Sequence, residues 1–312
     1  MITCVSLNPS IDRTLEVDAF TQGGLNRVRA QKDVAAGKGA NVALAAAALG
    51  ARAECIGFMY REGGALFEAR LEAGGVARDF LWCEGAVRVN LKVFDRARSE
   101  ITELNASGAP VDAARLEAMA EMVRAHARGA DFLVLSGSTP PGCPADFYRR
   151  LAEIAAQEGC RAMLDADGDR LRLGLSARPF LIKPNRYELE LLSGRELRTR
   201  EAVLQAALEC VRAGARLAAV SLGAEGALIT DGREALYAPA LRVELKSTVA
   251  AGDSMLAGLA AGFLRGGDMA DAFRLGVAAA TARCAAPPEE IIAEPACRAL
   301  AAKVELERMA LA

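Results

Sequence analysis

At 312 residues and a formal net charge of −2, the chain can bury a large core, as one big α/β domain or two average ones. It offers no basic excess for nucleic acid or anionic lipid. Its longest apolar stretch, 255–264, lies between Asp253 and Arg265 and is too short to span a bilayer. The start, Met-Ile-Thr-Cys-Val-Ser-Leu, lacks a secretory pattern, and eight scattered cysteines without a Cys-x-x-Cys pair read as reduced thiols, so a cytoplasmic protein is expected.

A strand over 2–7 opens the chain and delivers Asn8-Pro9-Ser10-Ile11-Asp12 to its carboxyl end, where open α/β sheets gather ligands. Asp12 there is either an acceptor for polyol hydroxyls or a turn former. After a strand at 13–18, Ala36-Gly37-Lys38-Gly39-Ala40-Asn41 makes a Gly-rich turn into an Ala-rich helix over 38–49. Lys38 at a helix start is unfavourable for the dipole unless an anion is close; the alternative is a lysine in solvent. The turn is neither a Walker A loop nor a full dinucleotide fingerprint, which argues against a nicotinamide oxidoreductase.

A strand at 54–58 and a helix at 64–73 come next. Residues 86–94 then alternate strictly, with Val87, Val89, Leu91 and Val93 on one face and Arg88, Asn90 and Lys92 on the other. With strands at 100–105 and 13–18 they predict a small separate sheet, one face apolar and one cationic. The sole histidine, His126, falls late in a helix over 112–128 and is expected as a solvated residue, not a catalyst.

From 132 onward strands at 132–136, 161–165, 180–183, 217–221 and 227–230 alternate with helices at 145–158, 186–193 and 200–213. Such alternation predicts a parallel sheet covered by helices on both faces. Polar turns follow the strands: Ser136-Gly137-Ser138, then Lys183-Pro184-Asn185 with Glu188, then Ser221 with Gly223 and Gly226. An amide and a carboxylate three residues apart at a helix start suit the water shell of Mg²⁺.

Residues 247–262 carry the most chemistry. Ser247-Thr248-Val249-Ala250-Ala251-Gly252-Asp253 opens a helix over 252–265, followed by another at 268–284. A helix start presents free N–H groups and the positive dipole end, a ready anion site. A carboxylate beside it can take a proton from a hydroxyl. The alternative is that Asp253 only caps its helix.

These motifs, in this order along almost the whole chain, resemble the ribokinase-like carbohydrate kinases of the phosphofructokinase-B family. The resemblance rests on Gly37-Lys38-Gly39-Ala40-Asn41 and on the 247–253 signature. Leu7 to Arg13, Asn26-Arg27, Arg88-Val89-Asn90, Thr102 to Asn105 and Ser136-Gly137-Ser138 look like the 1-phosphofructokinase and tagatose-6-phosphate kinase branch. The resemblance implies one α/β/α kinase domain over 1–312, with a mainly parallel central sheet and a β-sheet lid from about 12–33 and 84–106.

It further implies ATP and Mg²⁺, with Asp253 as catalytic base and the amides of Ala250, Ala251, Gly252 and Asp253 as the anion hole. Asp12, Gly37, Lys38, Asn41, Asn90 and Ser138 match sugar contacts. Arg27, Lys38 and Arg88 match positions that hold a phosphate already on the sugar, and Lys92 is a weaker candidate. Lys183, Asn185, Ser221, Gly223, Gly226, Ser247 and Thr248 match the nucleotide side, and Asn185 and Glu188 the indirect Mg²⁺ contacts. The expected reaction is phosphorylation of a ketohexose phosphate, fructose 1-phosphate first, by a homodimer joined through the lid. Tagatose-6-phosphate and 6-phosphofructokinase activities, and a non-catalytic sugar-phosphate sensor, are the alternatives.

Four departures stand out. Ala36 and Ala250 occupy places where glycine is commoner, and a left-handed backbone at Ala250 would cost about 1 kcal/mol. Asp165-Ala166-Asp167-Gly168 adds an acidic group without an evident role, and 284–288 differs from the usual adenine-side element.

Overall fold

The structure, a computed structural model, describes residues 1–287 and 290–311; the 284–288 expectation falls in part, at Pro288, outside the described residues. From the N-terminus come β1 (Ile2–Ser6), β2 (Ser10–Val17), β3 (Val28–Ala36), α1 (Lys38–Ala48), β4 (Ala53–Glu62), α2 (Gly64–Ala73) and β5 (Ala77–Ala86). Next are β6 (Arg88–Asp95), β7 (Glu100–Leu104), α3 (Ala113–Ala127), β8 (Phe132–Ser136), α4 (Phe147–Gln157), β9 (Arg161–Asp165) and α5 (Gly168–Gly174). Then follow β10 (Leu181–Ile182), α6 (Arg186–Ser193), α7 (Arg200–Arg212), β11 (Ala218–Ser221), β12 (Ala227–Thr230) and β13 (Ala235–Ala238). The chain finishes with α8 (Ala251–Leu264), α9 (Met269–Cys284), α10 (Glu294–Ala301) and β14 (Glu307–Arg308).

Ten strands form the main sheet in the order β14-β13-β12-β11-β10-β9-β8-β1-β4-β5. From β11 to β5 every pairing is parallel, and β12, β13 and β14 extend it antiparallel. β1 and β8 are buried at every residue, as strands covered on both faces must be. One helical group joins α1, α8, α9 and α10, and α3 to α7 pack in succession as the other. α8 and α9 cross closely because Gly258 carries no side chain: a Cβ there would sit 2.6 Å from the Leu275 carbonyl oxygen.

The second sheet, β3-β2-β6-β7, is the lid. Its register pairs Asp12 with Asn90 and Thr14 with Lys92, so these residues share one face; Ile11, Arg13 and Leu15 share the other with Val89, Leu91 and Val93. Lid strands begin earlier and end later than expected, at Ser10 and Ala36, while 84–86 belongs to β5 of the main sheet. β5 and β3 escape detection for the same reason. Both are edge strands, mostly solvent-facing, and so lack an apolar alternation.

Candidate active site

All seven parallel strands of the main sheet run the same way, so their carboxyl ends collect the turns that follow β1, β8, β9, β10 and β11. Beneath the lid these turns, α1 and the start of α8 enclose a cavity of about 620 Å³. It is lined by Asn8, Asp12, Gly37, Lys38, Asn41, Arg88, Asn90, Ser138, Lys183, Asn185, Glu188, Ser221, Thr248, Ala250, Ala251, Gly252 and Asp253. Residues scattered over the whole chain therefore meet in one place.

The first turn of α8 supplies the centre. Ala250 is its N-cap, with φ 62° and ψ 14°, a left-handed conformation that disfavours a residue with a Cβ. The strain turns the chain into α8, leaving the amides of Gly252 and Asp253 in the first helical turn without intrahelical acceptors. Ala251 differs from expectation: its N–H is already taken by the Thr248 carbonyl at 3.3 Å.

Asp253 is buried, and Asn41 Nδ2 donates to its Oδ2 at 2.9 Å. Burial pushes its carboxyl up to about 6; the cations of Lys38 and Lys183 and the Asn41 hydrogen bond oppose that rise, while the Asp165 charge adds to it. A carboxylate tuned to that range both holds a proton and releases it near neutrality, as a general base must.

Lys38 is the first residue of α1, and its Nζ lies 3.2 Å from Asp165 Oδ1 and 3.9 Å from Glu188 Oε1. Burial works against its charge, but Asp165, Asp253 and Glu188 together hold its pKa above the ordinary lysine value. Lys183, 3% exposed at the end of β10, forms an ion pair with Asp165 Oδ2 at 3.3 Å. The acid that the 165–168 pattern adds is Asp167; Asp165 carried no expected function. It is 1% exposed between these two cations, and they outweigh the effect of burial and lower its pKa. Asp167, beside it, pairs with Arg170 at the surface.

The lid closes the other side. Asp12 accepts from Asn90 Nδ2 at 3.0 Å and pairs with Lys92 Nζ at 2.8 Å. Lys92 also lies 3.8 Å from Glu103, so within the cavity lining it faces two carboxylates. Arg88 donates to the carbonyls of Asn8 and Ala106 and to Ser138 Oγ at 3.3 Å, and makes no ion pair among the described residues. It faces the cavity with Asp12 acting on it only from beyond ion-pair distance. Asn90 Oδ1 and Ser136 Oγ are buried against the same cavity without a hydrogen-bond partner. Buried polar atoms are nearly always satisfied, so the pair points to a ligand.

Asn185 and Glu188 form a capping box at the start of α6, each side chain bonded to the other's N–H at 2.8 Å. Among the described residues no group of three or more acidic, His or Cys side chains could hold a metal. The oxygen donors at Glu188 fit Mg²⁺ carried on phosphate and held through its water shell.

Four expected residues lie elsewhere. Arg27 is exposed and lines neither this cavity nor its neighbour: it precedes β3, whose nine residues carry it roughly 30 Å from the end at Ala36 that meets the site. Gly223 and Gly226 lie beyond Ser221, outside the cavity lining. Ser247 faces a neighbouring cavity of about 610 Å³, on the far side of Asp12 and Ala250.

His126 is not a solvated residue. Its Nδ1 lies 3.1 Å from Glu54 and its Nε2 3.0 Å from Asp79, because the last turn of α3 packs over the first residues of β4 and β5. No helix among the described residues is long and apolar enough to cross a membrane.

The model of the pfkB family carbohydrate kinases matches residues 4–287. The 1-phosphofructokinase of Rhodobacter capsulatus is 39% identical over 278 residues, covering 89% of this chain and 88% of that protein. Phosphofructokinase-2 from Escherichia coli, solved in complex with fructose-6-phosphate, superposes with a TM-score of 0.89 at 29% identity, over 97% of this chain and 98% of that one. Its tetrameric inhibited form gives a TM-score of 0.89 at 30% identity, with the same coverage.

Proposed function

This chain belongs to the pfkB family of carbohydrate kinases, and from that premise we propose that it transfers the γ-phosphoryl group of ATP to the C6 hydroxyl of D-fructose 1-phosphate. The products are D-fructose 1,6-bisphosphate and ADP. The observation that carries this reading is the convergence of a buried carboxylate tuned to about 6, a helix N-terminus and an unpaired arginine in one cavity.

Asp253 takes the proton of the hydroxyl as its oxygen bonds to the γ-phosphorus and the bond from that phosphorus to the ADP oxygen breaks. Asn41 orients the carboxylate. The amides of Gly252 and Asp253, with Ala250 setting their direction, receive the charge that spreads over the transferred group. Glu188 would hold the water shell of a Mg²⁺ carried on the nucleotide, which would neutralise phosphate charge, and Ser221 and Thr248 border the nucleotide. Asp12 and Asn90 bind sugar hydroxyls, and Arg88 with Ser138 binds the phosphate that the sugar already carries. A cation without an acidic partner favours a phosphosugar over a neutral one, since an anion is what completes it.

The lid supports a homodimer. Its outer face carries Leu15, Val89, Leu91 and Val93, with Leu104 paired to Leu91 and 58% exposed. Such a patch seeks cover. Sedimentation showing a monomer at working concentration would remove that part of the reading. The free thiols fit a reducing, cytoplasmic setting.

An ATP-coupled assay across fructose 1-phosphate, tagatose 6-phosphate and fructose 6-phosphate tests the substrate. Fructose 1-phosphate is expected to give the highest kcat/KM; a higher value for either other sugar refutes the assignment.

A further inference from the structure

Asp165 is the most deeply buried acid of the site, and the proposed reaction does not use it. Its two oxygens are divided between two cations from different parts of the chain. Oδ1 faces Lys38 at the start of α1, and Oδ2 faces Lys183 at the end of β10, at 3.2 and 3.3 Å. Neither lysine is free to wander while the carboxylate holds it, and the width of one carboxylate fixes their separation.

Both ammonium groups border the anion hole. A Cβ added to Gly252 would lie 3.2 Å from Lys183 Nζ, so that cation sits directly against an amide of the first turn of α8. Lys38 Nζ lines the same cavity, held by the other oxygen of Asp165 and close enough to Asp253 to influence its proton. We propose that Asp165 is a positioning residue that clamps Lys38 and Lys183 on either side of the transferred phosphoryl group. It touches neither substrate and acts through the two lysines. The clamp rests on the kinase reading above.

This arrangement also explains why an acid is buried there at all. A carboxylate removed from water is tolerated only when paired, and removing its charge leaves two cations facing each other across a small gap. Without Asp165 the lysines repel and swing apart, and the hole loses the field that both supply.

The test is Asp165→Asn, which keeps the shape and removes the charge. Calorimetric affinity for the β,γ-imido analogue of ATP is expected to weaken about 10-fold or more, with kcat for sugar-phosphate phosphorylation falling by at least as much. Because Asp165 acts through both lysines, adding Asp165→Asn to a variant that already carries Lys38→Met and Lys183→Met should weaken analogue affinity no further; an additional loss that multiplies overturns the clamp. So does analogue affinity in Asp165→Asn within twofold of the wild type.

If Asp165→Asn does not fold, Asp165→Glu reads the same point, since it keeps the charge but its longer arm moves the carboxylate from between the two lysines. About a 10-fold weaker analogue affinity at an unchanged melting temperature supports the clamp, and unchanged affinity overturns it. A wild-type protein that binds the analogue yet phosphorylates no sugar phosphate refutes the kinase reading alone, because analogue affinity judges the clamp without turnover.

Discussion

Two polar clusters sit at opposite ends of the same parallel sheet, and they are built differently. At the starting ends of β1, β4 and β5, Thr3 donates to Glu54 at 2.6 Å, and His126 bridges Glu54 and Asp79. Each charge there faces an opposite one, and the cluster closes on itself. At the carboxyl ends, Arg88 makes no ion pair among the described residues, Asp253 is held far from its ordinary pKa, Ala250 is strained, and Asn90 and Ser136 keep atoms without partners. A polar cluster that serves only stability satisfies its members. One that serves chemistry leaves them waiting for a ligand.

The contrast breaks most visibly at Arg88. Replacing it by methionine should raise KM for fructose 1-phosphate about 10- to 100-fold, the worth of one or two charge-assisted hydrogen bonds, and leave KM for ATP within about threefold. Steady-state kinetics with each substrate varied in turn decides this. An equal rise in both values would mean that Arg88 only supports the lid.

Acidity comes next. Asp253 works as a base only when deprotonated, and burial holds its carboxyl at about 6 in the ligand-free chain, so kcat/KM should fall about tenfold for each pH unit below that point. The same shift has a stability consequence with a definite sign. An acid whose pKa is raised in the folded chain binds its proton more tightly there than when unfolded, so the fold loses stability as pH rises from about 4 to about 6. Asp253→Asn removes that burden, and its melting temperature at pH 7 should equal or exceed the wild-type value.

Smaller effects sharpen the comparison. Ala250→Gly relieves the left-handed backbone and should stabilise the protein by about 1 kcal/mol, read by chemical denaturation. At the other end of the sheet, burial disfavours the charged form of His126, but Asp79 and Glu54 more than offset this and raise its pKa. Its stabilisation is therefore complete below the ordinary value of 6.5 and disappears as pH rises through the higher folded value. His126→Gln should lower stability by about 0.5–1 kcal/mol at pH 6, with the difference gone at alkaline pH and kcat unchanged.

The parts of this architecture that were legible are those whose signal is local. β8, β9 and β12 are short apolar runs bounded by turns, and they lie where the pattern puts them. The Gly-Lys-Gly turn and the start of α8 announce themselves by small residues beside a charge. Edge strands β3 and β5 were hidden, because a strand open to solvent needs no apolar period. Asp165 was visible as a residue but not as a role, since its partners Lys38 and Lys183 are 127 residues before it and 18 after. His126 was misread for the same reason: Glu54 and Asp79 reach it only through the packing of α3 on β4 and β5. Arg27 shows the converse, a residue whose motif matches but whose strand carries it away from the cavity.

The most direct test of the chemistry is Asp253→Asn, assayed for both turnover and calorimetric affinity for fructose 1-phosphate. A base at this position predicts a kcat lower by about 10²–10⁴-fold with sugar-phosphate affinity within a few-fold of the wild type. A variant that retains more than a tenth of wild-type kcat would contradict it, and would return Asp253 to the role of a helix cap.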